Sequence, residues 1–368
     1  MTTSSLRLSL LRLSFWTSTV LLLAVSFTPQ SFAQQSKGRF IALHPHYRDA
    51  GTRLASSSST IPNFAAPYSF LGQNFTYTLV GTDPSLGSAT TTIPVFLVPV
   101  KLTFADGTMR SPKVNIPGTT TTALSLTLAS PIFKPLDWQS GGVDLGVTQY
   151  LDAYQRGSLW NTVSRVAPNY HVLLSKPVLM PTLGINVPAD EGVSSANPIS
   201  IFVTVGLADV DFMNAQFQNY IDVHSQIVPS SLVIFLTYQT YLTQLGSCCI
   251  GGFHTATGNS TAPQTYMHAS FVTGSPAFSE DIASLSHEVA EWMEDPFVDN
   301  VTPCNAAGGL LEVGDPLSGV DFPVTAGGFT YHPQDLTFLS YFTGDFPSKA
   351  VNHQFTFKSA YHFPCSLM

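Results

Sequence analysis

The sequence has little charge and few cations. Charged residues make up 10% of the 368 residues, and 15 Lys and Arg stand against 23 Asp and Glu, which gives a formal net charge of -8. A chain with this balance has no basic surface that could hold a phosphate backbone. Nucleic acid is therefore excluded as an expected partner.

Several common signatures of enzymes and of helical proteins are also missing. The chain has no G-x-S-x-G elbow of a serine hydrolase and no glycine-rich nucleotide fingerprint. Its 26 Gly and 26 Pro break it into short pieces, which disfavours coiled coils and long bundles. Hydrophobic residues reach 44% and aromatic residues 12%, so a core can form. The composition predicts a globular protein rich in strands and turns.

The N-terminus has the pattern of a secretory signal peptide. Arg7 and Arg12 precede a mainly apolar stretch from Leu13 to Phe27, and small residues follow at Ser31 and Ala33. We predict cleavage after Ala33 and a secreted protein, periplasmic or extracellular. The apolar stretch is short and contains hydroxyl side chains, so no stable membrane span is expected after cleavage.

The mature chain divides into regions by composition. Residues 34–63, which include a serine-rich stretch, are predicted to be a flexible lead-in. Residues 64–206 carry short β-prone runs, such as Ile93–Phe104, separated by Gly, Pro, Ser and Thr. We predict an antiparallel β-rich region there. Residues 207–368 mix helical and strand patterns, so the predicted fold class is α+β.

Three patterns in this second region predict regular structure. Asp211 can cap a helix near residues 211–223, because apolar residues recur there at helical spacing. The continuous apolar run at 232–236 is typical of a strand that is covered on both faces. A second β-prone run follows at 266–272.

The segment from Ser279 to Glu294 predicts the most informative helix. Ser279 can serve as its N-cap, and Pro296 ends it. Apolar residues form one stripe along this helix. The other side gathers one histidine and four carboxylates: His287, Glu288, Glu291, Glu294 and Asp295.

His287 and Glu291 are four residues apart, so both side chains can reach one cation. Glu288 lies beside them, at the position of the general base in H-E-x-x-H metalloproteases. Here a glutamate stands where those enzymes have the second histidine. The alternative interpretation is an ordinary acidic face in contact with solvent.

Further carboxylates follow the helix and could complete a metal site. Glu312 and Asp315 come after the flexible pair Gly308-Gly309, which would let the loop fold back over the helix. The third ligand is predicted to be Glu312, Asp315 or Asp295. Mixed histidine and carboxylate ligands favour zinc, with calcium as the alternative.

Other histidines are weaker candidates. His254 and His268 flank the strand before the helix and could line the same cleft, although isolated histidines near strands are more often packed or hydrogen-bonded. His44 and His46 resemble a chelate but lie near the lead-in, where a surface loop is expected.

All four cysteines lie in the last third of the chain and are expected to pair outside the cell. Three connectivities are possible from the sequence. We predict a bond between Cys304 and Cys365, because it would tie the loop that carries Glu312 to the C-terminal end. Cys248 and Cys249 would then form an adjacent pair.

The motif residues also carry a resemblance. His287-Glu288-x-x-Glu291-x-x-x-Asp295-Pro296, followed by Glu312-x-x-Asp315, resembles the pattern of secreted bacterial proteins related to the plant phosphate-induced, or EXORDIUM-like, family. Cys249-Ile-Gly-Gly-Phe-His254 and the closing Cys365-Ser366 resemble further segments of that family. The resemblance covers roughly residues 200–368. It implies an extracellular protein whose region 207–368 is zincin-like.

The sequence therefore predicts a secreted zinc-dependent hydrolase, and specifically a metallopeptidase. Its substrate would be a peptide or another extracellular polymer. The alternative is a non-catalytic extracellular or cell-wall protein with a structural metal or none.

Overall fold

The computed structural model describes residues 38–47, 59–196, 204–274, 278–304 and 308–365. The predicted signal peptide and its cleavage site lie outside these residues. Residues Ser36–Met368 form one compact unit, so the regions predicted at 64–206 and 207–368 both belong to it. In the part that is described, no helix is long and apolar enough to cross a membrane.

The fold is α+β, as predicted. Within the described residues the strands are β1 (Arg39–Ala42), β2 (His46–Tyr47), β3 (Asn63–Phe70), β4 (Gln73–Val80), β5 (Thr90–Ile93), β6 (Val95–Phe104), β7 (Met109–Arg110), β8 (Leu136–Ser140), β9 (Val143–Thr148), β10 (His171–Leu174), β11 (Val178–Leu179), β12 (Leu183–Val187), β13 (Gly192–Ala196), β14 (Thr204–Asp209), β15 (Leu232–Tyr238), β16 (Thr240–Gln244), β17 (Ser247–Asn259), β18 (Ala262–Phe271), β19 (Val324–Ala326) and β20 (Phe329–Tyr331). The helices are α1 (Ala123–Ala129), α2 (Tyr150–Ser158), α3 (Trp160–Val163), α4 (Val210–Val223), α5 (Ala283–Glu294) and α6 (Leu339–Thr343).

One large mixed sheet organises the molecule. Its strand order is β11-β6-β15-β18-β17-β16-β14-β13. At its centre β15 runs parallel to both β6 and β18, and every residue of β15 is buried, as its apolar run predicts. The antiparallel pairing expected for residues 64–206 is found in the hairpins β3-β4 and β8-β9. It does not hold for the pairing of β6 with β15 in the central sheet or of β5 with β10, because both pairs are parallel.

The lead-in predicted at 34–63 is wrong over part of its length. Strands β1 and β2 pair in parallel with β17 and so extend the sheet. Phe40, in β1, is buried and stacks on the imidazole of His287 with ring centroids 3.8 Å apart. The short apolar run at 40–43 did not predict a paired strand, because the pairing partner lies more than two hundred residues away in the chain. Residues 34–37 and 48–58 of the lead-in lie outside the described residues.

The predicted helices are confirmed, but their N-termini differ. Helix α4 is capped by Asp209, whose carboxylate accepts hydrogen bonds from the backbone N–H groups of Asp211 and Phe212, rather than by Asp211. Helix α5 begins at Ala283 and has no side-chain cap. Ser279, the predicted cap, instead lies 2.9 Å from the hydroxyl of Tyr241.

Helix α5 is buried along its whole length. It packs against β17, β18, β4 and α2, and every residue from Ala283 to Glu294 is buried. The interpretation of its acidic side as a face in contact with solvent is therefore wrong. Since burying an unpaired carboxylate is costly, the carboxylates of α5 need specific partners.

Two disulfide bonds join the four cysteines in the predicted way. Cys304 is bonded to Cys365, and Cys248 is bonded to Cys249. The first bond closes the segment that follows α5. The second lies at the start of β17, the strand that carries His254.

Candidate metal centre

Three elements bring histidine and carboxylate side chains to one place. Helix α5 supplies a histidine and two glutamates, β17 supplies a second histidine, and the loop after α5 supplies two more carboxylates. We call this group the His–carboxylate cluster: His254, His287, Glu288, Glu291, Glu312 and Asp315. All but Asp315 are buried, and the Asp315 side chain is 29% exposed.

His287 is oriented by a glutamine that the sequence did not point to. The imidazole Nδ1 of His287 lies 3.1 Å from Oε1 of Gln334, and Nε2 of Gln334 donates to the backbone oxygen of Gly314 at 2.7 Å. This arrangement places the His287 proton on Nδ1 and leaves the lone pair on Nε2. Burial lowers the pKa of His287 to about 4, so the ring is neutral.

The Nε2 lone pair of His287 faces carboxylate oxygens. It lies 2.8 Å from Oε1 of Glu291 and 3.6 Å from Oδ1 of Asp315. Burial raises the pKa of Glu291 to about 8. A lone pair and a carboxylate oxygen repel each other at this distance unless a proton or a cation lies between them. The two residues predicted to share a cation are thus in position to do so.

His254 repeats this arrangement from the opposite side. Its Nε2 lies 3.2 Å from the backbone oxygen of Asp295, which can only accept, so the proton is on Nε2. The Nδ1 atom faces three carboxylate oxygens, at 3.4 Å in Glu288, 3.6 Å in Glu291 and 3.9 Å in Glu312. His254, a weaker candidate in the sequence, is therefore a full member of the cluster.

The carboxylates of the cluster have few other partners. Within the described residues, Oε1 of Glu288 and both carboxylate oxygens of Glu312 have no hydrogen-bond partner. Burial, followed by the charge of nearby Glu291, raises the pKa values of Glu288 and Glu312 well above their usual range. In the same part of the chain no lysine or arginine forms an ion pair with the cluster. Such a site attracts a cation.

Asp295, one of the three predicted candidates for the third ligand, lies outside the groups of possible metal ligands found among the described residues. Its carboxylate accepts hydrogen bonds from the backbone N–H groups of Asp299 and Asn300, which fixes the turn after α5. Its contribution to the site is the backbone oxygen beside His254. The candidates for a third ligand are therefore Glu312 and Asp315.

Two glycines make room for the cluster. A Cβ atom on Gly252 would lie 2.7 Å from Oε1 of Glu288, and one on Gly314 would lie 2.5 Å from Nδ1 of His287. Gly252 belongs to the Gly-Gly pair just before His254 in β17, where α5 crosses the sheet. The Gly-Gly pair allows α5 to approach β17 closely, and only the structure shows that Glu288 is the residue that needs this space.

The other histidines lie outside the cluster. Nε2 of His268 is 2.9 Å from the hydroxyl of Thr237, and the ring packs against Phe217. His46 is exposed in β2. Neither of these, nor His44, belongs to the groups of possible metal ligands found among the described residues.

The cluster opens onto a groove of about 510 Å³. Strand β1 forms one wall, and the segment from Gly308 to Ser318 forms the other. Glu312 and Asp315 line the groove, so a molecule that enters it can reach the carboxylates.

Glu294 is a buried carboxylate on α5 that lies outside both groups of possible ligands, and its two oxygens have no hydrogen-bond partner among the described residues. Burial raises its pKa to about 8 from the usual 4.5. Between these values the folded state holds a proton that the unfolded state has lost, so wild-type stability falls as pH rises through this window. We expect Glu294→Gln to be more stable than wild type at pH 7, by up to about 3 kcal/mol, and the gain to vanish near pH 4.

Denaturant unfolding of both proteins at pH 4, 5.5, 7 and 8 measures this difference. A gain that stayed constant over that range would show that the Glu294 carboxyl group does not titrate as described.

The resemblance noted in the sequence has no independent support. Comparisons with protein-family models, with curated proteins and with solved structures found no match for this chain. The resemblance to the EXORDIUM-like family therefore stays a prediction that rests on the motif residues themselves.

Proposed function

We propose that this protein is a metal-dependent hydrolase, and specifically a zinc metallopeptidase that acts outside the cell. The observation that carries the proposal is the meeting of His287, Glu291 and Asp315, with Glu288 on the same helix and with Asp315 lining the groove. The donor set fits zinc, because zinc accepts both imidazole nitrogen and carboxylate oxygen as ligands. The Nε2 atom of His287 supports the fit, since it is buried and has no hydrogen-bond partner among the residues that the structure describes.

Each residue would contribute a separate part of the chemistry. A divalent cation bound here supplies Lewis acidity that polarises a carbonyl group. Glu288 would take the proton from the attacking water, because its Oε1 atom has no hydrogen-bond partner among the described residues and burial raises the pKa of its carboxyl group, which makes the carboxylate a stronger base. Gln334 keeps the lone pair of His287 directed into the site. Phe40 covers the imidazole and excludes water from one side.

The groove supports a peptide as the substrate. Among the described strands β1 pairs only with β17, so its other edge can pair with an extended chain. Main-chain pairing of this kind suits a polypeptide and leaves specificity to pockets along the groove. A sugar polymer has no backbone that could continue the sheet.

The proposal is tested by metal analysis and by cleavage of a broad peptide library. Mature protein purified without a chelating tag should hold zinc and cleave members of the library. A chelator should stop cleavage, and added zinc should restore it. His287→Ala should lose one equivalent of metal, because the buried imidazole supplies a nitrogen ligand.

The matched control is His46→Ala, which removes an exposed histidine from a strand outside the cluster. This variant should keep its metal and its activity. Unchanged metal content in His287→Ala would show that the site is wrong. A zinc-loaded wild type that cleaves no peptide in the library would instead favour the non-catalytic alternative.

A further inference from the structure

We propose that the His–carboxylate cluster holds two divalent cations and that Glu291 bridges them. The first is the cation of the proposed function, beside His287. The second would be held by His254, Glu291 and Glu312. The inference deepens the proposed function, because it adds a second metal to the same site.

The two oxygens of Glu291 face different imidazoles. Oε1 of Glu291 is 2.8 Å from Nε2 of His287, and Oε2 is 3.6 Å from Nδ1 of His254. A carboxylate that presents one oxygen to each of two nitrogen ligands has the arrangement of a bridging ligand. If a single cation were bound only at Oε1, no cation would lie between His254 and the carboxylates that face it.

The distances around His254 fit metal ligands better than hydrogen bonds. Its Nδ1 lies 3.4, 3.6 and 3.9 Å from the three carboxylate oxygens, and the shortest of these is at the long limit of a hydrogen bond. Ligands about 2.1 Å from a tetrahedral cation are about 3.4 Å from one another. The ligand atoms of His254, Glu291 and Glu312 also all lie within 4.8 Å of one another.

The proton positions agree with two metals. Each imidazole places its proton next to a neutral oxygen: Oε1 of Gln334 for His287 and the backbone oxygen of Asp295 for His254. In each ring the other nitrogen, Nε2 of His287 and Nδ1 of His254, is directed into the cluster, which is how a metal-binding histidine is usually held. Two histidines held in this way need two positive centres, or one that both can reach.

Glu312 provides an independent observation. It is 2% exposed, and neither of its oxygens has a hydrogen-bond partner in the described part of the chain. Its carboxylate lies on the His254 side of the cluster, while Asp315 lies on the His287 side. A buried carboxylate without donors is costly unless a cation balances it. The second cation gives Glu312 that partner.

The charge of the cluster also favours two cations. When ionised, the four carboxylates Glu288, Glu291, Glu312 and Asp315 carry four negative charges, and two divalent cations balance all of them. One divalent cation would balance only two of them.

Native mass spectrometry after zinc loading tests the inference, and elemental analysis of the same samples gives the metal per chain. We expect two zinc ions in wild type. Glu312→Gln and His254→Ala should each hold one, and His287→Ala should also hold one. The exposed-residue variant His46→Ala should hold two.

The outcomes separate this inference from the proposed function. One zinc ion in wild type that is lost in His287→Ala and kept in Glu312→Gln would overturn the second cation and leave the proposed function standing. No zinc in wild type would overturn both. Two ions in Glu312→Gln would overturn the assignment of the second site. Circular dichroism checks that the variants fold, and the wild-type count decides the number of ions even if a variant does not fold.

Discussion

We expect the Glu288→Gln variant to fold and to keep its bound metal. Its kcat should fall by about 10³-fold, which is the size usual for loss of a general base. The amide has the shape of the carboxylate but cannot take a proton from water. Glu288 is fully buried on α5, so an isosteric side chain is the least disruptive replacement. Peptide cleavage and metal content, measured on the same sample, show whether chemistry and binding separate.

Glu294→Gln is the matched control, because it is the same substitution in the same buried helix but outside both groups of possible ligands. It should retain activity. If Glu288→Gln instead loses metal, Glu288 is a ligand and the base must be sought elsewhere. If it retains full activity, the hydrolytic mechanism is wrong.

The motif on α5 could be predicted because helical spacing alone places His287 and Glu291 on one side of a helix. The short distance from α5 to Glu312 and Asp315 along the chain allowed these to be proposed as well. Burial of the acidic side could not be predicted, because helix periodicity shows which residues share a face but not what covers that face. Strands β17 and β18 cover this face, and the sheet topology determines their position.

The rest of the site depends on contacts between distant parts of the chain. His254 lies on β17, and Gln334 follows α5 by forty residues, so no local pattern links either of them to His287. Asp295 has a carboxylate, which is a common metal ligand, but this carboxylate accepts a hydrogen bond from the backbone N–H of Asp299 in the turn that follows. Polar side chains that already bind nearby backbone groups are poor candidates for metal ligands. Only the three-dimensional structure shows which side chains have such partners.

Gly314→Ala is expected to lower zinc affinity by 10-fold to 100-fold, as loss of an orienting contact does in other metal sites. The backbone of Gly314 has φ -86° and ψ -33°, so alanine is acceptable there on conformational grounds. The conflict is with the neighbouring ring, since the new methyl group would lie 2.5 Å from Nδ1 of His287. The imidazole cannot move away easily, because Phe40 stacks on it and Gln334 binds it.

Gly184→Ala is the matched control, because a Cβ atom there meets nothing within 4 Å. Its zinc affinity should equal that of wild type, and its stability should change by less than about 0.5 kcal/mol. Calorimetric zinc titration and denaturant unfolding of the two variants measure both quantities. Equal zinc affinity in Gly314→Ala and Gly184→Ala would mean that the position of His287 does not control binding, and the ligand role of His287 would then have to be abandoned.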